Sequence, residues 1–351
     1  MRILICSDVY PGLRGIAQYS QNVSKILCKN HEVTILCQKK NYETEEIIMD
    51  VKVYRVEEKN IMGFMQENRN NFDLILVRYY KFLLQAINNF KNVIYIIPSV
   101  RSMSIKFMDE NGRFKNEKEI ERISEIERNG ILKCKKLICS SKSLNKQVQK
   151  EYNFVKGIVI PHGVNLNKFK PNKQSKKKYD VVTVANFDPR KGIDKLISVA
   201  KKSRSNFIIL GDGKLKKTYK RLILENNVKD KIQLLGQKNP LKYLQESKIF
   251  VLPSIYESFG LVLLEAMASG LPCIAFRPDG KKITTASDEI IKDGKTGFLV
   301  NDEKEMSEKI NLLVGNKKLR EKMSKASRKE AERYSWDKSV ESLLKEIEKI
   351  T

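Results

Sequence analysis

Residues Ile249 to Ala275 read IFVLPSIYESFGLVLLEAMASGLPCIA, and this stretch decides the fold. Ile249-Phe-Val-Leu252 is a short apolar run ended by Pro253, as expected of a buried parallel strand. Ser258 is placed to cap a helix starting near Gly260, and Gly270 with Leu271-Pro272 stops it. Cys273 to Phe276 is the next strand. Glu257 precedes the helix and Glu265 lies inside it. Backbone N–H groups of Ser258, Phe259, Gly260 and Leu261 would point out of the helix N-terminus, where an anion such as a phosphate is favoured. Glu257 would sit beside that anion, and Glu265, two turns on, suits paired hydroxyls. Such a site fits a nucleotide-sugar. Two glutamates at this spacing, taken alone, read equally well as solvated surface residues. The Pro-Ser before them, the Phe-Gly between and the apolar helix make the stretch specific.

The 351 residues suit two domains rather than one core. A hydrophobic content of 41% in regular short runs indicates a globular chain. The net charge of +25 comes from 67 Lys+Arg against 42 Asp+Glu. Such an excess favours nucleic acid, anionic lipid or a phosphorylated ligand, although the scattered lysines fit a general Lys- and Asn-rich composition as well. No helix-turn-helix, zinc finger or aromatic RNA-binding motif is present, so nucleic acid is not an expected partner. The first apolar run, Ile3 to Cys6, is too short for a secretory signal, and no run approaches the ~20 residues of a membrane span. Six cysteines without a Cys-x2-Cys pair read as buried free thiols in a reducing cytosol. With only His31 and His162 available, a zinc site is not expected.

Along the chain, residues 2–8 read as a strand, followed by a loop with Gly12 and Gly15 and a helix from Ile16 to Leu27. That layout cradles phosphates, yet on spacing alone the glycines serve a tight turn equally well. Further strands read at Leu74–Val77, Val93–Ile97 and Lys136–Cys139. Alternation with helical segments implies a doubly wound parallel sheet, whose ligands gather at the carboxyl ends of the strands, here Asp8, Arg78 and Ser99. Residues 106–133, with Glu117, Glu119, Glu121, Glu125 and Glu127, read as a solvated helix after a loop. Ser140-Ser141-Lys-Ser143 begins another helix. PNKQSKKK, residues 171–178, is a polar basic linker. A second series of strands then starts at Tyr179–Val184 and continues with Phe207–Leu210 and Ile232–Gly236. Lys191, beyond a strand end and before a helix, is a sound phosphate ligand as a point charge.

PSIYESFGLVLLEAMASGLP resembles the signature of the family 4 retaining glycosyltransferases of the GT-B fold, and the likeness extends along nearly the whole chain. The resemblance implies two Rossmann-like doubly wound parallel-sheet domains facing a cleft: residues 1–168 on the acceptor side, 169–333 holding the donor, and a helix over 334–351 crossing back to the first. Gly15 matches the last glycine of the family's donor-facing loop. Lys191 matches a lysine that binds the donor diphosphate. Asn186 stands where the family has an arginine, leaving Arg190 as the substitute. Gly211 lies in a segment similar to Val-Gly-Asp-Gly. Residues 155–169, VKGIVIPHGVNLNKF, are similar to the family's crossover. The family's histidine after the strand Val93–Ile97 is replaced by Pro98-Ser99.

By the same resemblance Glu265 binds the ribose hydroxyls and Glu257 the donor sugar. The implied activity is a retaining transfer, of hexosyltransferase type, from a nucleotide diphosphate sugar to a cell-envelope glycan or lipid-linked acceptor. With no Asp-x-Asp motif, neither metal nor cofactor is expected. Arg78 and Ser99 fall on the acceptor side. A cytoplasmic protein, bound peripherally at the inner face of an anionic membrane, fits the basic charge. Two alternatives stay open: a non-catalytic glycosyltransferase-like partner subunit, and a sugar-nucleotide epimerase on the same fold.

Overall fold

Short apolar runs rich in Ile, Val and Leu, each closed by a polar or glycine-bearing turn, build two separate parallel sheets. A computed structural model describes residues 1–12, 15–38, 45–106, 117–153, 157–172 and 174–351. The chain divides into two units, one holding residues 1–105, the segment up to His162 and Trp336–Thr351, the other Gly163–Ser335. The junctions thus fall at 162 and 335, against the 168 and 333 expected from the sequence. Two observations account for this. Phe169 is buried in the core of the second unit, and the Val164 N–H donates to the Tyr334 carbonyl at 2.9 Å while Val164 bridges Ser335.

The first unit contains strands β1 (Arg2–Ser7), β2 (Glu32–Gln38), β3 (Glu45–Ile48), β4 (Val51–Val56), β5 (Leu74–Val77), β6 (Val93–Ile97), β7 (Lys136–Cys139) and β8 (Ile158–Val159). They form one sheet in the order β3-β4-β2-β1-β5-β6-β7-β8, parallel except for the β3–β4 hairpin. Order reverses beside β1, so Asp8 and Arg78 follow the two strands that flank the switch point. The helices are α1 (Gly15–Leu27), α2 (Ile61–Glu67), α3 (Leu83–Asn89), α4 (Arg101–Lys106), α5 (Glu117–Lys133) and α6 (Lys142–Tyr152). Ser141 caps α6, its Oγ accepting from the Leu144 N–H at 2.9 Å. The hairpin β3–β4 and helix α4 are not marked in the sequence reading.

Helix α5 departs from the expected solvated face. Glu127 is buried, because it continues the apolar line of Ile123 and Ile131 at four-residue spacing. Its carboxylate accepts from the Tyr95 and Tyr152 hydroxyls, each at 2.8 Å, and from the Arg101 N–H at 2.9 Å. One glutamate therefore ties β6, α6 and the start of α4 together. Burial still pushes its carboxyl up to about 7.

The second unit contains β9 (Tyr179–Val184), β10 (Phe207–Leu210), β11 (Ile232–Gly236), β12 (Ser247–Leu252), β13 (Cys273–Phe276) and β14 (Gly297–Val300). All are parallel, in the order β11-β10-β9-β12-β13-β14. The run Ile249–Leu252 forms the C-terminal part of β12, a central strand whose side chains serve both faces: Ile249 and Val251 enter one core, Phe250 and Leu252 the other. That two-sided burial explains the continuous apolar run. Its helices are α7 (Ile193–Lys202), α8 (Lys216–Glu225), α9 (Pro240–Glu246), α10 (Leu261–Ala268), α11 (Ser287–Ile290), α12 (Glu303–Gly315) and α13 (Lys317–Ala331). The last helix, α14 (Trp336–Ile347), belongs to the first unit. There Trp336 meets Tyr19 edge-on at 5.7 Å, and Ser339 Oγ donates to the Pro161 carbonyl at 2.8 Å.

Gly192 holds the two strand ends of the second unit together. Its φ is +59°, and a Cβ there would lie 2.1 Å from the Pro253 carbonyl oxygen. Gly192→Ala is expected to destabilise the second unit by about 2 kcal/mol or more. Gly63, inside α2 with nothing within 4 Å of its Cβ position, is the control. Gly63→Ala should stabilise by about 0.5–1 kcal/mol. Chemical denaturation of both variants checks the contrast; equal effects would remove Gly192 from its structural role.

Candidate active site

The site forms in the second unit where the segments after β9 and β12 meet. Asp188 begins the first of them. Its Oδ1 accepts from the Arg190 N–H at 3.1 Å, and Pro189 at the first helical position fixes a short 3-10 turn, Pro189–Lys191. Arg190 folds back on Asp188 through Nε at 2.9 Å and Nη2 at 3.0 Å. Burial works against its charge, and the Asp188 carboxylate more than offsets it, so the guanidinium is held above its usual range. The Arg190 carbonyl accepts from the Ile255 N–H at 2.9 Å and the Tyr256 N–H at 3.3 Å. Those bonds, with the close approach at Gly192, clamp the turn onto the loop after β12. Lys191 Nζ then lies 2.5 Å from Glu257 Oε2, with both side chains about four-fifths shielded from solvent.

The loop after β12 is supported from its other side. Glu257 N–H donates to the Thr284 carbonyl at 3.0 Å, Thr284 N–H to the Ile255 carbonyl at 2.8 Å, and Tyr256 bridges Thr284. The long segment from Phe276 to Glu289 is thus built into the wall of the site. Ser258 does not cap α10. The cap residue is Gly260 in the left-handed region with φ +97°, and no side chain bonds there. A glycine cap leaves the Leu261 and Val262 N–H groups at the start of α10 open to a ligand, while the Leu263 N–H donates to the Gly260 carbonyl at 2.9 Å. At the other end Gly270 N–H bonds the Met267 carbonyl and Leu271 N–H the Ala266 carbonyl, a Schellman stop with Gly270 at φ +78°.

Glu265, on α10, is 9% exposed. Burial pushes its carboxyl up to about 7, and the charge of Lys168 is the counteracting influence. Among the described residues none hydrogen-bonds this carboxylate. A largely buried carboxylate that no protein donor meets is a place where an external donor fits. Ser254, at the start of the same loop, likewise has a buried hydroxyl without a partner among the described residues.

Lys191, Arg190, Glu257, Ser258, Phe259, Gly260, Leu261 and Glu265 therefore come together on two adjoining segments. Asn186 is exposed on the segment after β9. Gly211 packs against that segment: a Cβ there would lie 1.8 Å from the Ala185 carbonyl oxygen. The remaining sequence candidates belong to the first unit. Gly15 is exposed at the start of α1, and Ser99 is half-buried beyond β6. Arg78 is buried, donates from Nη1 to the Ile96 carbonyl at 2.9 Å, and lies 4.1 Å from the centre of the Tyr19 ring. Burial lowers its guanidinium to about 10. Sequence reading missed Asp188, Ser254 and Thr284. Asp188 carried a signal, since Asp followed by Pro is a cap followed by a first-turn proline.

A turn-borne lysine, a helix N-terminus and a largely buried carboxylate thus lie together on a doubly wound sheet, a combination whose chemistry suits phosphate and hydroxyl groups. Residues 165–330, nearly all of the second unit, match the family described as Glycosyl transferases group 1. An uncharacterised glycosyltransferase of Methanocaldococcus jannaschii is 33% identical over 62% of this chain and 60% of its own length, so the chain spans less than two thirds of that relative. Among solved structures, sucrose-phosphate synthase from Thermosynechococcus elongatus is similar with a TM-score of 0.84 at 18% identity, over 99% of this chain and 98% of the other. Anabaena HepE, solved with UDP and glucose, is similar with a TM-score of 0.82 at 15% identity, over 99% and 100%. The fold is that of the GT-B glycosyltransferases.

The Glu265 carboxyl rises from 4.5 to about 7 on folding. The folded state thus holds this proton more tightly than the unfolded chain, and the stability it confers is complete below about pH 4.5 and lost as pH rises through about 7. Glu265→Gln cannot ionise. It should match the parent near pH 4 and exceed its stability by ~1–3 kcal/mol at pH 8. Denaturant titrations at the two pH values measure this, and equal stability at pH 8 would place the carboxylate in a solvated setting.

Proposed function

We propose that this chain is a retaining glycosyltransferase of hexosyltransferase type, moving a sugar from a nucleotide diphosphate sugar to a cell-envelope glycan or lipid-linked acceptor without a metal. One observation carries the reading: the buried Glu265 carboxylate has no donor among the described residues and shares a short helix with an open, glycine-capped N-terminus. The 2′ and 3′ hydroxyls of a ribose are matched donors for a carboxylate. A diphosphate reaching from there to the start of α10 meets the first N–H groups and Lys191. The bond that breaks leaves negative charge on the diphosphate, and stabilising that charge is the largest service the protein can render. The α10 N-terminus does so as a preorganised dipole, and Lys191 as a charge held close by.

Glu257 has two parts in this scheme. Before the donor binds, it neutralises Lys191; with the donor present, its oxygens accept from hydroxyls of the sugar while Lys191 turns to phosphate. We assign catalytic roles to these two residues. No side chain is given the part of nucleophile. The acceptor attacks from the face that the diphosphate leaves, and the leaving phosphate oxygen takes the acceptor proton. Arg190, engaged with Asp188, acts by shaping the turn. The HepE structure with UDP and glucose supports a uridine nucleotide as the first donor to try.

A thermal-shift panel of nucleotides and their sugar conjugates on the purified protein is the test. A ligand at ~100 times its dissociation constant adds about 2.7 kcal/mol. Stabilisation by one base and its sugar conjugates is expected, and Glu265→Ala and Lys191→Ala should each weaken that binding about tenfold or more. No shift with any nucleotide would point to a non-catalytic partner subunit. Conversion of the donor sugar with no acceptor present would point to an epimerase.

A further inference from the structure

The positive charge of this chain is unevenly placed. Residues 163–335 hold 37 Lys+Arg against 20 Asp+Glu, which is +17 of the total +25. Its densest helix is α13, with seven cations and two acids in Lys317–Ala331. Three of those cations have structural work. Arg320 Nη1 donates to the Leu313 and Val314 carbonyls at 2.7 and 2.9 Å, closing the end of α12. Arg328 Nη1 donates to the Phe169 and Ala268 carbonyls at 2.7 and 2.8 Å, tying α13 to the end of α10, and its Nε pairs with Glu332. Lys317 pairs with Glu321 at 3.9 Å.

The other four, Lys318, Lys322, Lys325 and Lys329, are exposed, and among the described residues none has an ion-pair partner. They are not scattered. At ~100° per residue they fall within an arc of about 60° and run for about 16 Å along one line of the helix. The buried residues Met323, Ser327 and Ala331 lie on the opposite side. The line therefore faces solvent, directly away from the packed face, and the acids Glu321 and Glu332 flank it, each already paired.

We propose that this lysine line on α13 is a docking surface for an anionic lipid bilayer. Four like charges at i, i+4, i+7 and i+11 on a helix repel one another, and a dense array of negative charge relieves all four together. A straight line of flexible side chains suits a plane of headgroups, and lysine, a point charge without a planar fork, suits mobile phosphates rather than one bidentate partner. Clusters of four or more lysines on a helix face are attracted to anionic lipid in this way. Site and surface are separate in the fold. The lysine line lies on the far side of α13, whereas the site opens at the N-terminal end of α10, and Arg328 bonds to the C-terminal end of that helix.

The experiment is co-sedimentation of the full chain with phosphatidylcholine vesicles holding about 30 mol% phosphatidylglycerol, at about 0.1 M salt, where charge screening is moderate. Each lysine near such a surface is worth about fivefold in partitioning, so replacing Lys318, Lys322, Lys325 and Lys329 by Ala should weaken binding several-hundred-fold. Alanine favours helix, which keeps α13 formed. The control replaces Lys201, Lys229, Lys238 and Lys242, exposed elsewhere in the same unit, and should lose less than tenfold. Equal losses in the two variants would show that net charge alone acts and overturn the proposal. Parent binding that is undetectable, or that is as strong on pure phosphatidylcholine, would overturn it too. Both readouts are independent of any transfer activity.

Discussion

The clamp between the Pro189–Lys191 turn and the loop after β12 is the contact on which the site depends. Three backbone features make it: the Arg190 carbonyl receiving two N–H groups, the left-handed Gly192, and the Pro253 carbonyl lying where a Cβ would be. No side-chain chemistry is needed for this, so its sequence trace is a glycine and two prolines. Yet it sets the separation of Lys191 and Glu257, which are 66 positions apart in the chain. A charge pair held by backbone contacts keeps its geometry when the charges change partners. That is what a site needs if one of its lysines is to leave a carboxylate for a phosphate.

Most of the second unit was legible because its strands are buried on both faces, so each writes a continuous apolar run with a glycine or proline at its end. Ile249–Leu252 and Phe207–Leu210 are read without help from context. What escaped detection fails that rule. The hairpin β3–β4 sits at a sheet edge, where exposed Glu45, Glu46 and Lys52 break its apolar residues into short pieces. The cap of α10 was misread because a serine at the usual distance is a good capping residue in general. A glycine in the left-handed region does the same task by conformation, which composition does not reveal. The pairing of the segment Phe276–Glu289 with Ile255–Glu257 follows from tertiary contact alone.

Glu127 and Glu265 show how little burial by itself says about role. Both carboxyls are pushed up to about 7 by desolvation, and both lie on helix faces that the sequence marks as apolar or surface. Their surroundings separate them. Glu127 receives three donors from three elements, so its lone pairs are met within the protein and its task is to hold β6, α4 and α6 in register. Glu265 receives none among the described residues. The fold meets the desolvation cost of the first with local bonds and leaves that of the second outstanding. A largely buried carboxylate beside an open helix end is well placed for an external donor, and a comparison of bonding separates Arg320 and Arg328, which close helix ends, from the four exposed lysines of α13, which close nothing. In each pair the group with no partner inside the molecule is the one that points to a partner outside it.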